Sequence, residues 1–374
     1  MRILSSLVLA TALFAGAAHA QETTLTIGAT ITATGAAASL GIPEKNAIEL
    51  MPETIGDVKV RYIILDDGGD PGRAVRNARQ LVEEYNADVI IGSTTIPNSL
   101  AIGEVANQTK TPQIALAPIP ATDFVFSLPQ TADLMAEGLV LHMKEHGVKR
   151  AAYLGFADSL GDHNYHAFTK YAEPAGIEVV TNERFARNDT SVTAQVLRVM
   201  QSKPDAVFIS ASGTPAALPQ IELKGRGYKG MTYFLHGVIN RPFLRVGAKS
   251  IEGSFATAGP FSVARALPDS NPIKKGAVEM MDAYAAKFGE EASSFSAYAW
   301  DAYEIIKAAL PAALDKAAPG TEEFRIALKD AIERGEDVTG VSAVYRITKD
   351  DHNGLDERAR VMVTVKGNEF HPVD

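Results

Sequence analysis

Val58-Lys59-Val60-Arg61-Tyr62-Ile63-Ile64-Leu65-Asp66-Asp67-Gly68-Gly69-Asp70-Pro71 reads as a strand, a turn and the start of a helix. The apolar run to Leu65 suits a buried strand, and the paired glycines let the chain turn. Asp70 is a favourable N-cap, and Pro71 suits the first helical position, where an N–H would lack a partner anyway. Ala74, Val75, Ala78, Leu81, Val82 and Tyr85 then recur on one helical face.

The same unit repeats on both sides. Strands are expected over 25–31, 87–91 and 113–117, with helices over 38–51 and 97–108 between them. A second series follows: helix 131–146 stopped by Gly147, strand 151–156, helix 162–175, strand 177–181, helix 191–202, strand 205–210, helix 214–224 and strand 231–235. Such alternation implies parallel sheets covered by helices on both faces, joined by right-handed crossovers. The last third differs: a strand at 255–259, long helices near 272–288, 294–314 and 321–334, then β-rich segments at 343–347 and 360–373. Gly367-Asn368 is the expected hairpin turn. Three late helices need an existing sheet to cover, so the chain is expected to pass between two lobes more than once.

A chain of 374 residues suggests two domains, and 46% hydrophobic with 22% charged residues excludes a disordered or fibrous protein. Net charge is -9, which argues against nucleic-acid binding. The absence of cysteine excludes disulfides, thiolate metal sites and a cysteine-linked lipid anchor. Met1-Arg2, the apolar run 3–18 and Ala18-His19-Ala20 form a signal peptide over residues 1–20, followed at once by polar Gln21-Glu22-Thr23-Thr24. A soluble periplasmic protein is expected.

The runs Ile27-Gly28-Ala29, Thr34-Gly35 and Gly41, the turn Asp66 to Pro71 with Ala74-Val75-Arg76-Asn77, and Ile91-Gly92-Ser93-Thr94-Thr95 together resemble one family. Pro112-Gln113-Ile114-Ala115, Tyr298-Ala299-Trp300-Asp301-Ala302 and Asp351-His352-Asn353-Gly354 extend the likeness over nearly the whole chain. The family is that of periplasmic substrate-binding proteins of the branched-chain-amino-acid (Leu/Ile/Val) type. The resemblance implies an α/β, type I binding-protein fold: two Rossmann-like doubly wound lobes, three crossover strands and a cleft between the lobes. Crossovers are expected near Phe126, Phe255 and Val344. Lobe I is then 21–126 plus 256–343, and lobe II is 127–255 plus 344–374. It also implies a non-enzymatic, monomeric receptor that hands a small solute to the permease and ATPase subunits of an ABC importer.

In open α/β sheets ligands sit beyond the carboxyl ends of strands. The loops in that position, 32–35, 93–99 and 117–122, are rich in hydroxyls and glycine and carry no charge. Hydroxyl and backbone donors of this kind stabilise a buried anion. Thr34 and Ser93 are candidates from these loops, and by resemblance Thr94, Thr95, Ala117 and Pro118 fall where the family grips a ligand carboxylate. In amino-acid-binding relatives, an aromatic residue precedes the glycine of the loop corresponding to Phe156–Gly161, and a carboxylate follows the strand corresponding to 233–235. Here those positions hold Leu160 and the stretch His236-Gly237-Val238, so Leu160, His236 and Gly237, with His163, are the ligand-binding candidates of the second lobe. Without those partners a buried ammonium would be costly. An aromatic or apolar organic acid is therefore expected, with an amino acid as the alternative should Asp158 or Asp162 supply the missing charge.

Other motifs are read as structural. Gly225-Arg226-Gly227-Tyr228-Lys229-Gly230 matches G-x-G-x-x-G but follows a helix and precedes a strand, the reverse of a dinucleotide site. His163 and His166 lack metal-site spacing, and no cofactor or metal is expected. Asp66, Asp67 and Asp70 read as capping groups. An exported enzyme using His163 or His236 as a base is the alternative of another class, distinguished by turnover.

Overall fold

A computed structural model describes residues 23–373, so the expected leader lies outside the described residues. The first series comprises β1 (Thr24–Ile31), α1 (Ala38–Leu50), β2 (Thr54–Ile55), β3 (Val58–Asp66), α2 (Pro71–Glu83), β4 (Val89–Gly92), α3 (Ile96–Thr109), β5 (Gln113–Ala115) and β6 (Val125–Ser127). Its six strands form one sheet in the order β2-β3-β1-β4-β5-β6, parallel except where the short β2 folds back on β3.

The second series comprises α4 (Ala132–Glu145), β7 (Arg150–Phe156), α5 (Ser159–Ala172), β8 (Glu178–Phe185), α6 (Thr193–Gln201), β9 (Ala206–Ser210), α7 (Ala217–Gly225), β10 (Met231–Phe234), α8 (Arg241–Gly247) and β11 (Phe255–Ala258). The chain then returns to the first lobe through α9 (Lys274–Phe288), α10 (Ser294–Leu314) and α11 (Glu322–Ile332), with a small antiparallel pair β12 (Val338–Thr339) and β13 (Val344–Tyr345). Finally β14 (Val361–Lys366) and β15 (Glu369–Pro372) join the second sheet, whose order is β15-β14-β11-β10-β9-β7-β8. The type I binding-protein fold is therefore present.

Local chemistry explains the element ends. Asp70 accepts the Arg73 N–H at 2.6 Å, and Thr131 and Thr321 cap α4 and α11 in the same way. Gly367 and Asn368 both have positive φ, the geometry of a tight hairpin between β14 and β15. The core of the first lobe joins β1, β4 and β5 to α1, α9, α10 and α11.

The passages between lobes follow β6, β11 and residue 359. Phe126 and Leu128 belong to the first core and Met135 to the second lobe, while Ala258 lies in the second core and Phe261 in the first. The third passage differs from the expectation at Val344. Tyr345, Ile347 and Ala359 are all buried in the first core, and the second sheet resumes only at Val361. Residues 344–359 thus lie with lobe I and not lobe II. Asp301 holds this stretch there: its buried carboxylate accepts the Ser342 N–H at 3.1 Å and the Tyr345 hydroxyl at 2.9 Å, besides bonds from Val341 N and Ser342 Oγ.

Candidate functional site

The carboxyl ends of β1, β4 and β5 face those of β7, β9 and β10, and the loops that leave them enclose a cavity. The space they leave is small, a cavity of about 40 Å³. The first lobe contributes Leu40, Thr94, Thr95, Ile96, Leu116, Ala117, Pro118, Phe295 and Tyr298; the second contributes Leu160, Asn164, Ala211, Ser212, Leu235, His236 and Gly237. Pro129 lines it from the first passage between the lobes. Among the described residues no Asp, Glu, Lys or Arg lines it.

On the first lobe, Thr95 is the N-cap of α3, yet its side chain makes no capping bond. The first-turn N–H groups of this helix therefore face the loop without that partner, beside the positive end of the helix dipole. Thr94 is buried and held from two sides: its Oγ1 accepts the Thr32 N–H at 2.9 Å and donates to Glu44 Oε2 at 2.5 Å.

Asp67, also buried, ties the surrounding loops together. It accepts the hydroxyls of Thr32 at 2.7 Å and Ser93 at 2.6 Å, together with the Gly69 N–H at 2.9 Å. Asp66 similarly accepts Thr34 Oγ1 at 2.6 Å and the Ala33 and Gly68 N–H groups. The three turn carboxylates are thus committed to loop and cap bonds, and among the described residues no cluster of three His, Cys, Asp or Glu groups suits a metal.

On the second lobe, His236 is buried and its Nδ1 has no partner. Burial pushes its pKa down to about 4, so the imidazole is neutral at physiological pH. Asn164 donates to Ser210 Oγ at 3.0 Å. The two acids held in reserve for an ammonium are otherwise engaged. Asp158 caps α5 through the Leu160 and Gly161 N–H groups and pairs with Arg187 at 2.6 Å. Asp162 is largely exposed and pairs with Arg184 at 3.2 Å. Arg187 in turn lies 4.4 Å from the Phe156 ring centre and reaches Ser212 Oγ at 3.3 Å.

The cavity therefore gathers Thr94, Thr95, Ala117, Pro118, Leu160, His236 and Gly237. It does not include Thr34, Ser93 or His163. Thr34 is exposed and turned to Asp66, Ser93 is turned to Asp67, and His163 sits half-buried on α5 outside the lining. Sequence reasoning missed Leu40, Asn164, Ser212, Phe295 and Tyr298. Tyr298 stood in a motif already singled out, and its hydroxyl donates to Gln130 Oε1 at 2.7 Å, just after the first passage between lobes.

The lobes meet around the cavity. Leu160 packs against the cluster containing Ile96 and Ala117, the Thr214 N–H reaches Ser39 Oγ at 3.3 Å, and Arg241 makes a two-pronged pair with Glu291 at 2.7 Å on each arm. A larger groove, lined by Asn240, Arg241, Phe261, Met281, Ser294 and Phe370 among others, shares no lining residue with this cavity.

Two doubly wound lobes closing on a buried, charge-free cavity define a solute-binding receptor. Residues 24–368 match the family model described as periplasmic binding protein, and the chain belongs to that family. An extracellular ligand-binding receptor from Rhodopseudomonas palustris HaA2 is 42% identical with a TM-score of 0.92, the match covering 94% of this chain and 100% of that one. The branched-chain amino acid transporter substrate binding protein LivJ from Streptococcus pneumoniae, in complex with isoleucine, is 18% identical with a TM-score of 0.80 over 94% of this chain and 99% of that one. An ABC transporter solute binding protein from R. palustris in complex with benzoate is 17% identical with a TM-score of 0.78, covering 94% and 95%. Among curated proteins none matches the chain.

Proposed function

We propose that this chain is a periplasmic receptor that captures an aromatic or apolar organic acid lacking an α-amine and delivers it to an ABC importer. The observation that carries this reading is the cavity lining, which holds no ionised acid to pair with an ammonium. The carboxylate would sit on the first lobe, at Thr94, Thr95, Ala117 and Pro118, where hydroxyls and the start of α3 supply donors. Leu160 and the neutral His236 would meet the organic body from the second lobe, His236 offering a hydrogen bond without a charge. A buried ammonium in such a lining would lack the paired, hydrogen-bonded environment that buried charges need. Proteins of this fold at 17% and 18% identity hold benzoate and isoleucine respectively, so the cavity lining and not the likeness carries the choice of ligand.

Function follows from closure. A ligand touching both lobes shifts the open–closed equilibrium toward the closed form, the shape a permease reads. No chemistry is required of the cavity, so ligand released by denaturation is expected unchanged. The reading is tested by a melting screen of aromatic acids, aliphatic acids, amino acids and amides. At about a hundred times Kd a ligand of the folded state adds about 2.7 kcal/mol. Stabilisation by aromatic or apolar acids supports the reading; stabilisation by amino acids alone rejects it.

A further inference from the structure

Glu44 is fully buried on α1, behind the threonine assigned above to the ligand carboxylate. Its Oε2 lies 2.5 Å from Thr94 Oγ1, and its Oε1 has no partner. Thr94 Oγ1 also accepts the Thr32 N–H at 2.9 Å. A hydroxyl has one hydrogen and two acceptor sites, so these contacts nearly exhaust it. With Glu44 ionised, the Thr94 hydrogen must point at Glu44, and only oxygen lone-pair density remains for the cavity. That arrangement repels an anion. With Glu44 protonated, its O–H fills the second acceptor site of Thr94, and the Thr94 hydrogen is free to point at the ligand.

We propose that Glu44 is a positioning residue which, as a neutral acid, turns the Thr94 hydroxyl into a donor for the ligand carboxylate, coupling capture of the anion to a proton held beneath the site. This rests on the carboxylate assignment at Thr94. The electrostatic setting agrees. Burial raises the Glu44 pKa well above the ordinary carboxylate range; the Thr94 bond opposes this, and the negative Asp67 adds to it. A bound carboxylate on the other side of Thr94 pushes in the same direction.

Several titratable groups lie on the elements packed against α1. Besides Asp67, β3 and its end bring Tyr62 and Asp66. Tyr62 is turned to the Pro52 carbonyl and Asp66 to Thr34. α9 brings Tyr284, bonded to Asn46, and Lys287, bonded to the Glu49 carbonyl. α10 brings Tyr298, Tyr303 and Asp301, the last tied to Ser342 and Tyr345. Among the described residues Thr94 is the one hydrogen-bond partner of Glu44, and no cation pairs with it. On α1 itself, Lys45 pairs with Glu49 at the surface.

The test is calorimetric titration with benzoate and 3-phenylpropanoate between pH 5.5 and 9.5, where both probes stay anionic and His236 stays neutral. The wild-type affinity is expected to fall by up to tenfold per pH unit in the alkaline part of this range. Proton uptake, read by comparing buffers of different ionisation enthalpy, rises toward one per ligand over the same interval. Glu44→Gln keeps a donor for Thr94 in its amide N–H. It is expected to bind within about threefold of wild type at pH 7 and to lose both the slope and the uptake, while Thr94→Val loses tenfold or more. Asp301 titrates near neutrality and remains in Glu44→Gln, so a slope that survives this substitution belongs elsewhere and overturns the proposal. A wild-type affinity flat to pH 9.5, or a Glu44→Gln defect as large as that of Thr94→Val, also overturns it. Binding without the slope rejects only the role of Glu44; failure of both acids beside tight binding of an amino acid rejects the carboxylate reading and this proposal with it.

Discussion

Replacing His236 by Asn should remove a specific part of the protein's sensitivity to acid. The imidazole is only 6% exposed, its Nδ1 has no partner, and burial lowers its pKa from 6.5 to about 4. The unfolded chain therefore takes up this proton between pH 6.5 and 4 while the folded chain does not, so stability falls with pH across that window. At pH 4.5 the unfolded imidazole is protonated and the folded one mostly neutral, a difference of about 2.5 kcal/mol relative to pH 8. Asn carries no titrating group, so the variant should escape that loss whatever it costs at neutral pH. Urea unfolding of both proteins at pH 8 and pH 4.5 measures the difference of differences. With a slope of about 3 kcal/mol/M, the wild-type midpoint should drop by roughly 0.8 M more than the variant's. Parallel losses, within about 0.5 kcal/mol, would refute the assignment of a neutral, desolvated His236 at the cavity wall.

Other substitutions probe the frame around the cavity. Tyr298→Phe leaves Gln130 Oε1 without its buried donor and should cost about 1–3 kcal/mol in urea unfolding; an unchanged midpoint would remove this bond from the account. Gly41→Ala would bring a methyl group to 2.0 Å from the Thr32 carbonyl oxygen, so it should displace the Thr32–Thr94 contact and lower both melting temperature and ligand affinity. Normal behaviour of that variant would mean that the loop yields freely. Asp158→Asn should cost about 1 kcal/mol of stability through the weakened cap and Arg187 pair, yet change acid affinity less than threefold. A large affinity loss there would make Asp158 a ligand partner.

Much of the fold was legible because its signals are local. Asp70 before Pro71, Thr131, and Gly367-Asn368 act within a few residues of themselves, and each ends or begins an element where expected. Val344 was misplaced because a short apolar stretch shows that it is buried without showing against which lobe. That choice is made by the Asp301 carboxylate, more than forty residues away in sequence on α10. The cavity was legible where a loop leaves the carboxyl end of a strand, as at Thr94, Ala117 and His236. Thr34 and Ser93 sit in such loops too, but their hydroxyls are taken by Asp66 and Asp67 from the neighbouring strand end. Asn164 and Tyr298 were missed because they project from helices, where a polar or aromatic residue has no distinguishing local pattern.

The proposed function requires a ligand that carries a carboxylate and no ammonium. It is tested most directly by calorimetric titration of one preparation with phenylalanine and with 3-phenylpropanoate, which share the ring, chain and carboxylate and differ in the amine. The deaminated acid should bind at least tenfold more tightly, a difference of about 1.4 kcal/mol or more. Tighter binding of phenylalanine would contradict the account.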